Sequence, residues 1–338
     1  MLPQTHEMPE LSVIMPAYNE ELFLEEAIQS ILGQSFSDFQ LTIVNDNSTD
    51  GTQKIIERFV QSDPRVSCIQ NTTNLGPAKS RNLAIDGTNT PFIAFMDADD
   101  IAVSTRFEKQ LAFLRKNPTI GVCGSWSIVF GDKKAVLSND VDHEKIKVGF
   151  LSHCAVHNPT VMLRRSSLGA LRFDEKMMVG EDYSLYSQLI ATAKFHNLPE
   201  KLMYYRWHQN NISQTRITAL HASELAIRSK QLSNLGIRPE DPNLQNYIYT
   251  VSLKRRQSQE STIKTIRCGQ RLLELNRELA YFDQKILEKH IHTVLIRTIR
   301  NTAKYNRSFL KYLKNESGFF AKMPKVDFVV LFLKSFFN

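Results

Sequence analysis

Three carboxylates follow a short apolar run in the first third of the chain. Asp97, Asp99 and Asp100 come directly after Pro91–Met96. Side chains at positions i and i+2 of an extended segment point the same way, so Asp97 and Asp99 can converge on one hard cation. Such a cation prefers oxygen ligands and often shares its coordination shell with substrate phosphates. Taken alone, this spacing also fits a solvent-exposed acidic turn or a helix N-cap.

The apolar run predicts a strand buried on both faces. Before it, strands predicted at 11–19 (ended by Pro16), 41–44 and 66–69 alternate with helical patterns. This alternation indicates βαβ units and a mainly parallel sheet. Residues that follow the strands then gather along one edge of the sheet, where ligands bind. The residues expected at this edge are Tyr18, Asn19, Asp46, Asp97 and Asp99.

The rest of the chain divides into two parts. After helices predicted at 24–32, 55–60, 78–85 and 104–115, the pattern turns β-rich at 121–130, with strands at 158–164 and 202–208 and a helix after Gly180. Long helical patterns follow at 219–235, 261–282 and 285–303. We therefore predict an α/β domain at 1–215 and a mainly helical region at 216–338. Neither Gly-x-Gly-x-x-Gly after the first strand nor a Gly-Lys-Ser/Thr loop is present, which disfavours Rossmann dinucleotide and P-loop sites.

Charge is distributed unevenly along the 338 residues. The composition, 42% apolar and 23% charged, is ordinary for a globular protein, and the formal net charge is +7. Residues 1–214 hold 20 Lys and Arg against 25 Asp and Glu, whereas residues 215–338 hold 22 against 10. We expect an anionic partner, if there is one, to meet the second part. This region suits three roles, namely an accessory domain, a surface on anionic membrane lipid, or, without a supporting motif, a nucleic-acid site.

The sequence predicts a cytoplasmic protein, either free or peripheral on the inner face of a membrane. Its four cysteines have no paired spacing, as expected of reduced core residues. The first seven residues lack the basic and apolar regions of a signal peptide. No stretch reaches the ~20 apolar residues that span a bilayer, and the apolar segment 326–337 is too short to do so.

Six stretches in order resemble the family 2 glycosyltransferases, whose fold is called GT-A. They cover a little under two thirds of the chain, from residue 11 to residue 214. The stretches are Ser12–Asn19, Ile43–Asp50, Asn74–Asn82, Asp97–Asp99, Gly180–Asp182 and Tyr205–His208. The resemblance implies an α/β GT-A catalytic domain that transfers a hexose or N-acetylhexosamine from a nucleotide-sugar, most often UDP-linked, to a glycan or glycolipid acceptor. It also implies a role in surface polysaccharide or lipopolysaccharide biosynthesis.

By this resemblance, residues of the first three stretches bind the donor. Pro16, Ala17, Tyr18 and Glu20 would line the nucleotide pocket, where the Tyr18 ring packs on the base. Asp46 would accept a hydrogen bond from the base edge, unless it is a helix cap. Lys79 and Arg81 would lie near the donor phosphates, unless they belong to a solvated helix face. Asn45 departs from the family, in which most members carry an acid at this position.

The resemblance also assigns the metal and the general base. Asp97 and Asp99 would hold Mn²⁺ or Mg²⁺ against the donor diphosphate, Ala98 between them would be among the donor-binding residues, and His208 would be a further metal ligand or a packing residue. Asp182, with Glu181 beside it, would be the general base of an inverting displacement. Both acids also suit the start of a helix.

Other functions stay open at this stage. A nucleotidyltransferase on sugar phosphates would use the same metal and diphosphate chemistry, and a catalytically degenerate glycan- or membrane-binding module could retain the fold. The Gln-x-x-Arg-Trp motif of processive synthases is incomplete, because Met203 replaces the Gln. We therefore expect a non-processive enzyme.

Overall fold

The computed structural model describes residues 8–209, 211, 215–253, 256–303 and 306–315. The described residues of Met1–Ile146 and Cys154–Ser223 form one unit, and those of Lys147–His153 and Glu224–Asn338 form a second. The first unit contains a mixed sheet with flanking helices, and the second is helical. The division of function between residues 1–215 and 216–338 stays a prediction.

The sheet of the first unit is mainly parallel where the predicted donor site lies. β1 pairs in parallel with both β2 and β4, and β2 with β3. The strand order is β3-β2-β1-β4-β8-β6-β9-β5, with β7 attached to β6. The strands are β1 (Leu11–Ala17), β2 (Phe39–Asn45), β3 (Val66–Gln70), β4 (Phe92–Phe95), β5 (Ile101–Ala102), β6 (Ile120–Gly131), β7 (Ala135–Leu137), β8 (Met162–Arg164) and β9 (Lys194–Trp207). The predicted α/β fold is confirmed.

Helices cover both faces of this sheet, so the central strand β4 is buried throughout, as its unbroken apolar run predicts. Helix α1, for example, packs Leu24, Ala27, Ile28 and Ile31 into the core at helical spacing. The helices up to residue 189 are α1 (Leu24–Leu32), α2 (Thr52–Ser62), α3 (Pro77–Asp86), α4 (Arg106–Lys116), α5 (His143–Gly149), α6 (Arg165–Leu168) and α7 (Glu181–Leu189).

Pro16 does not end the first strand, which corrects one prediction. Alternate residues of β1 face β4 and β2, since the Met96 amide donates to Ile14 O and the Asp46 amide donates to Ala17 O. Pro16 faces the side of β4, beyond the last paired residue, Ile14. Its missing N–H therefore interrupts no ladder, and the strand continues to Ala17.

A second correction concerns residues 158–164, predicted as one strand. Asn158–Thr160 is a 3₁₀ turn, and only Met162–Arg164 is a strand. The Thr160 amide and hydroxyl both donate to the His157 carbonyl and close this turn. The last strand is longer than predicted, because β9 begins at Lys194 and pairs along β6.

The second unit confirms the predicted helical patterns to within a few residues. Its core contains Leu244, Leu272, Leu287, Ile291 and Leu295, all nearly inaccessible to solvent. The helices after residue 215 are α8 (Ile217–Ser233), α9 (Pro242–Leu253), α10 (Gln259–Leu279), α11 (Gln284–Arg300) and α12 (Arg307–Asn315). Within the described ranges, no helix has both the length and the apolar character needed to cross a membrane. The predicted apolar segment 326–337 lies outside the described residues.

Candidate active site

The acidic residues after β4 lie at the carboxyl edge of the sheet, as their position in the sequence predicts. Asp99 accepts hydrogen bonds from Asn211 Nδ2 (3.3 Å), and its Oδ2 lies 3.1 Å from His208 Nε2. Asp100 is fully buried, with Oδ1 accepting from the Arg206 amide at 2.8 Å. Its Oδ2 has no hydrogen-bond partner in the described part of the chain. The two predicted metal ligands Asp99 and His208 are thus in direct contact with each other.

Glu20 belongs to the same acidic cluster. Burial, together with the charges of Asp99 and Asp97, raises the pKa of Glu20 to about 8. The same causes raise the pKa of the Asp100 carboxyl well above its usual range. The described residues contain no preformed group of three or more His, Cys, Asp and Glu side chains spaced to hold a metal. The donor set nevertheless fits a divalent cation, because carboxylate oxygens are hard ligands and a cation would relieve their repulsion.

Arg81 connects the acids of β4 with those of α7. Its Nη2 lies 2.9 Å from Asp97 Oδ1, and its Nη1 lies 2.6 Å from Glu181 Oε1. The Arg81 side chain is only 6% exposed, which excludes the alternative of a solvated helix face. By contrast, Lys79 is exposed and pairs with Glu175 at 3.5 Å. The contact of either cation with donor phosphates stays a prediction.

Asp182 is half-buried at the start of α7, next to Glu181. Gly180 precedes the helix in a left-handed conformation (φ +80°), which glycine adopts without strain. Burial and the Glu181 charge raise the pKa of Asp182 to about 7, although the Arg81 charge lowers it. This is the range in which a carboxylate can act as a general base near neutral pH.

Asp46 is buried after β2 and holds the loop 71–76 in place. Its Oδ1 accepts from Asn71 Nδ2 (2.7 Å) and the Leu75 amide (2.8 Å), and its Oδ2 accepts from the Gly76 amide (2.7 Å). It is therefore not a helix cap. Three of about four acceptor positions of the carboxylate are used. Among the described residues, the Gly76 amide is the single donor to Oδ2.

The remaining predicted donor residues lie beside Asp46 at the end of β1. Ala17 is buried, whereas Tyr18 is 46% exposed. Asn19 has a positive φ of +56° and fixes the neighbouring loop by accepting from the Thr49 amide at 2.8 Å. Ala98 is buried between the two aspartates. The Tyr18 ring is thus accessible to a planar ligand.

The sequence interpretation missed Arg106, which is fully buried on α4. Arg106 Nη2 donates to the carbonyls of Phe95 (3.0 Å) and Val161 (3.4 Å), and Nε donates to Gln110 Oε1. Burial lowers the pKa of Arg106 to about 9. The signal was present in the sequence, because helical spacing places Arg106 and Gln110 on the same face as Leu114.

Comparison with known proteins places this geometry in a family. The family "Glycosyl transferase family 2" matches residues 12–169. The "Uncharacterized glycosyltransferase MJ1057" of Methanocaldococcus jannaschii is 37% identical over 207 residues, which are 59% of this chain and 71% of that relative. The Escherichia coli "UDP-Glc:alpha-D-GlcNAc-diphosphoundecaprenol beta-1,3-glucosyltransferase WfgD" is 29% identical over 69% of this chain and 87% of its own length.

Solved structures show the same fold at low sequence identity. S. aureus TarS 1-349, crystallised in complex with UDP-GlcNAc, matches 90% of this chain and 91% of its own, with a TM-score of 0.58 and 19% identity. This likeness supports the GT-A fold alone. The family match and the relative from Methanocaldococcus jannaschii establish that the chain belongs to glycosyltransferase family 2 and is a glycosyltransferase, and the solved structures show that its fold is GT-A.

Proposed function

We propose that the chain transfers one sugar per encounter from a UDP-linked donor to a lipid-linked glycan acceptor, with inversion at the anomeric carbon and with a divalent cation. The observation that carries this proposal is the pair of ionic contacts from Arg81 to Asp97 and Glu181. They link Asp97, one of the predicted metal ligands, to Glu181, which directly precedes the predicted base Asp182. A displacement reaction needs this proximity, because leaving group and nucleophile act on the same carbon.

The donor base is assigned to Tyr18 and Asp46. Uracil offers one imide N–H, and the acceptor position left on Asp46 Oδ2 suits it. The exposed Tyr18 ring provides a stacking surface, while Pro16 and Ala17 shape the end of the strand below it. The charges of Asp99 and Asp97 act on Glu20, and we therefore assign Glu20 to the region of the donor diphosphate.

Asp97, Asp99 and His208 would hold Mn²⁺ or Mg²⁺. Such a cation, when bound, acts as a Lewis acid that offsets the charge on the departing diphosphate. The protein residues prepare this site, since Arg81 orients Asp97 while Asn211 and His208 orient Asp99.

Asp182 is assigned as the general base. Its carboxylate takes the proton of the acceptor hydroxyl as that oxygen forms a bond to the anomeric carbon. The bond from this carbon to the diphosphate oxygen breaks on the opposite side, and its electron pair leaves with UDP. The Glu181 charge raises the pKa of Asp182, and Glu181 itself pairs with Arg81 at 2.6 Å.

The acceptor assignment rests on the relative WfgD, whose name specifies a diphosphoundecaprenol-linked sugar. The basic region 216–338 supports it, because excess Lys and Arg favour an anionic membrane surface. We therefore assign a role in surface polysaccharide biosynthesis and peripheral contact with the membrane.

A donor screen tests this function. Purified protein is incubated with Mn²⁺ and UDP-Glc, UDP-GlcNAc, UDP-Gal or GDP-Man, and slow donor hydrolysis is followed by chromatography. We expect release of UDP from one UDP-sugar, with loss of this activity in Asp99→Asn. Asp86→Asn is the matched control, because Asp86 is 60% exposed and pairs with Arg172 away from the acidic cluster. Release of pyrophosphate from a nucleoside triphosphate, with a sugar phosphate as the second substrate, would instead identify a nucleotidyltransferase.

A further inference from the structure

An apolar groove crosses four strands of the first unit. Its volume is about 640 Å³, within the range of about 300–1,000 Å³ typical of small-molecule sites. Strand register places Val136 opposite Ile128, Ile128 opposite Tyr204, and Tyr204 opposite Ile101. Residues paired in this way share one face of the sheet, so they form a continuous apolar row. The groove is lined by Ile101, Ile128, Val129, Phe130, Lys134, Ala135, Val136 and Tyr204.

This row is open to solvent although it is apolar. Val136 is 48% exposed and Tyr204 is 38% exposed. Among the described residues that line the groove, Lys134 is the one with a charged side chain, and Lys133 lies beside it with its Nζ 3.8 Å from the centre of the Trp207 ring. One end of the groove is therefore positively charged.

The groove adjoins the acidic edge through two chain segments. Ile101 directly follows Asp99 and Asp100. Arg206 lies two residues beyond Tyr204, on the same face of the sheet. Its guanidinium lies 4.4 Å from the centre of the Phe130 ring, and its Nε donates to the Asp99 carbonyl at 2.8 Å. A ligand in the groove would thus lie next to the predicted transfer site.

We propose that this groove binds the hydrocarbon chain of a lipid phosphate or diphosphate acceptor, with Lys134 contacting the phosphate. The inference rests on the proposed function and specifies its acceptor site. A free glycan would present hydroxyl groups to a lining that offers almost no polar partner, which is unfavourable. An isoprenoid chain gains from burying this surface, and the lysines at one end complement an anionic head group.

Farnesyl diphosphate tests the groove, because it carries an isoprenoid chain and a diphosphate but no sugar. Its affinity for the full chain is measured by calorimetry in EDTA, and again with Mn²⁺ and saturating UDP. We expect Val136→Ser to weaken the binding of farnesyl diphosphate by about threefold to tenfold. This is the loss in affinity that corresponds to about half the free energy of burying one valine side chain. Val60→Ser, at a valine 39% exposed on α2, is the matched control and binds as the wild type does.

The charged end of the groove is tested separately. Lys134→Ala should weaken farnesyl diphosphate by up to about fivefold, as expected for one exposed ionic contact, and leave farnesol binding unchanged. The control is Lys54→Ala, at an exposed lysine on α2. Thermal melting of each variant shows whether the fold is retained.

Three results would overturn the proposal. Displacement of farnesyl diphosphate by UDP would place it at the donor site, and unchanged affinity in Val136→Ser would place it elsewhere. If Val136→Ser instead turns a dimer into a monomer in sedimentation without changing lipid affinity, the groove is an interface between copies. Wild-type donor hydrolysis is assayed in parallel. Hydrolysis without lipid binding rejects the groove alone, whereas absence of hydrolysis with every donor rejects the proposed function.

Discussion

Asp182 lies beside Glu181 and near Arg81, and these two charges act on its pKa in opposite directions. A general base must be ionised to accept a proton, so a pKa of about 7 predicts that kcat/KM rises with pH through about 7. Glu181→Gln removes the like charge and releases Arg81 from its partner, and both changes lower the pKa of Asp182. We expect the acidic limb of the pH profile to move to lower pH. A limb that stays in place would show that another group titrates.

Removal of the base itself is the second prediction at this scale. Asp182→Asn keeps the size of the side chain but cannot take a proton, and we expect turnover with a true acceptor to fall by about 10²–10⁴-fold. Donor affinity should change little, which separates this effect from loss of the nucleotide site. Full turnover in Asp182→Asn would show that another group takes the proton, whereas a wild type that turns over no donor would favour the degenerate binding module.

Arg81 is the residue whose loss should most affect stability at the site. Breaking a buried ion pair by removing one partner costs about 3–5 kcal/mol, because the remaining charge is left without compensation. Arg81→Met strands Glu181, which is 10% exposed, and Asp97. Urea unfolding measures the change, and Arg81→Lys should restore part of it. The exposed Lys79→Met serves as the control on the same helix.

Helix α4 joins three elements near the candidate site, namely β4, β6 and the 3₁₀ turn. Gln110 Nε2 donates to the carbonyls of Cys123 on β6 and Thr160 in the 3₁₀ turn, both at 2.8 Å. Arg106 donates to Phe95 at the end of β4. The same turn contains Asn158, whose Oδ1 accepts from the Tyr186 hydroxyl on α7 at 2.7 Å. The strand before the predicted metal ligands and the helix of the predicted base are thus both connected to the buried pair of Arg106 and Gln110.

We predict that Gln110→Leu destabilises the protein by about 2–4 kcal/mol, because it leaves buried carbonyl groups without a donor. Donor hydrolysis should fall as well, since the end of β4 and the turn are no longer fixed. Gln29→Leu, at an exposed position of α1, is the control. Equal stability of Gln110→Leu and wild type would contradict this role for α4.

Sequence reasoning located the elements better than the contacts between them. Local periodicity and the polar residues after strands were sufficient for β4, for the alternating helices and for the edge that carries Asp97 and Asp99. The prediction that Pro16 ends the first strand was wrong, because the cost of its missing N–H depends on whether that position faces a paired residue of the neighbouring strand. The pairing of Arg81 with Glu181 spans 100 residues, and no local pattern specifies it.

At the scale of the whole molecule, buried acids should make stability depend on pH. Burial raises the pKa of Glu20 to about 8 and that of Asp182 to about 7, above the values of an unfolded chain. The folded state therefore binds more protons, and stability falls as pH rises towards these values. His157 and His290, with pKa values lowered to about 4 by burial, act in the opposite direction below about pH 6.5.

Between about pH 6.5 and 8 both histidines are neutral in the folded state, and their remaining protonation in the unfolded chain is lost by about pH 7.5, so the acids dominate the upper part of this window. In EDTA we expect the thermal midpoint to fall across this window, because the free energy of unfolding decreases by at most about 1.4 kcal/mol per pH unit for each titrating acid. Glu20→Gln should flatten this pH dependence, whereas Glu57→Gln, at an exposed position of α2, should not.

Because a divalent cation binds the ionised carboxylates, added Mn²⁺ should stabilise the protein more at pH 8 than at pH 6.5. A pH-independent effect of Mn²⁺ would mean that the cation does not bind at the cluster of Glu20, Asp97 and Asp99.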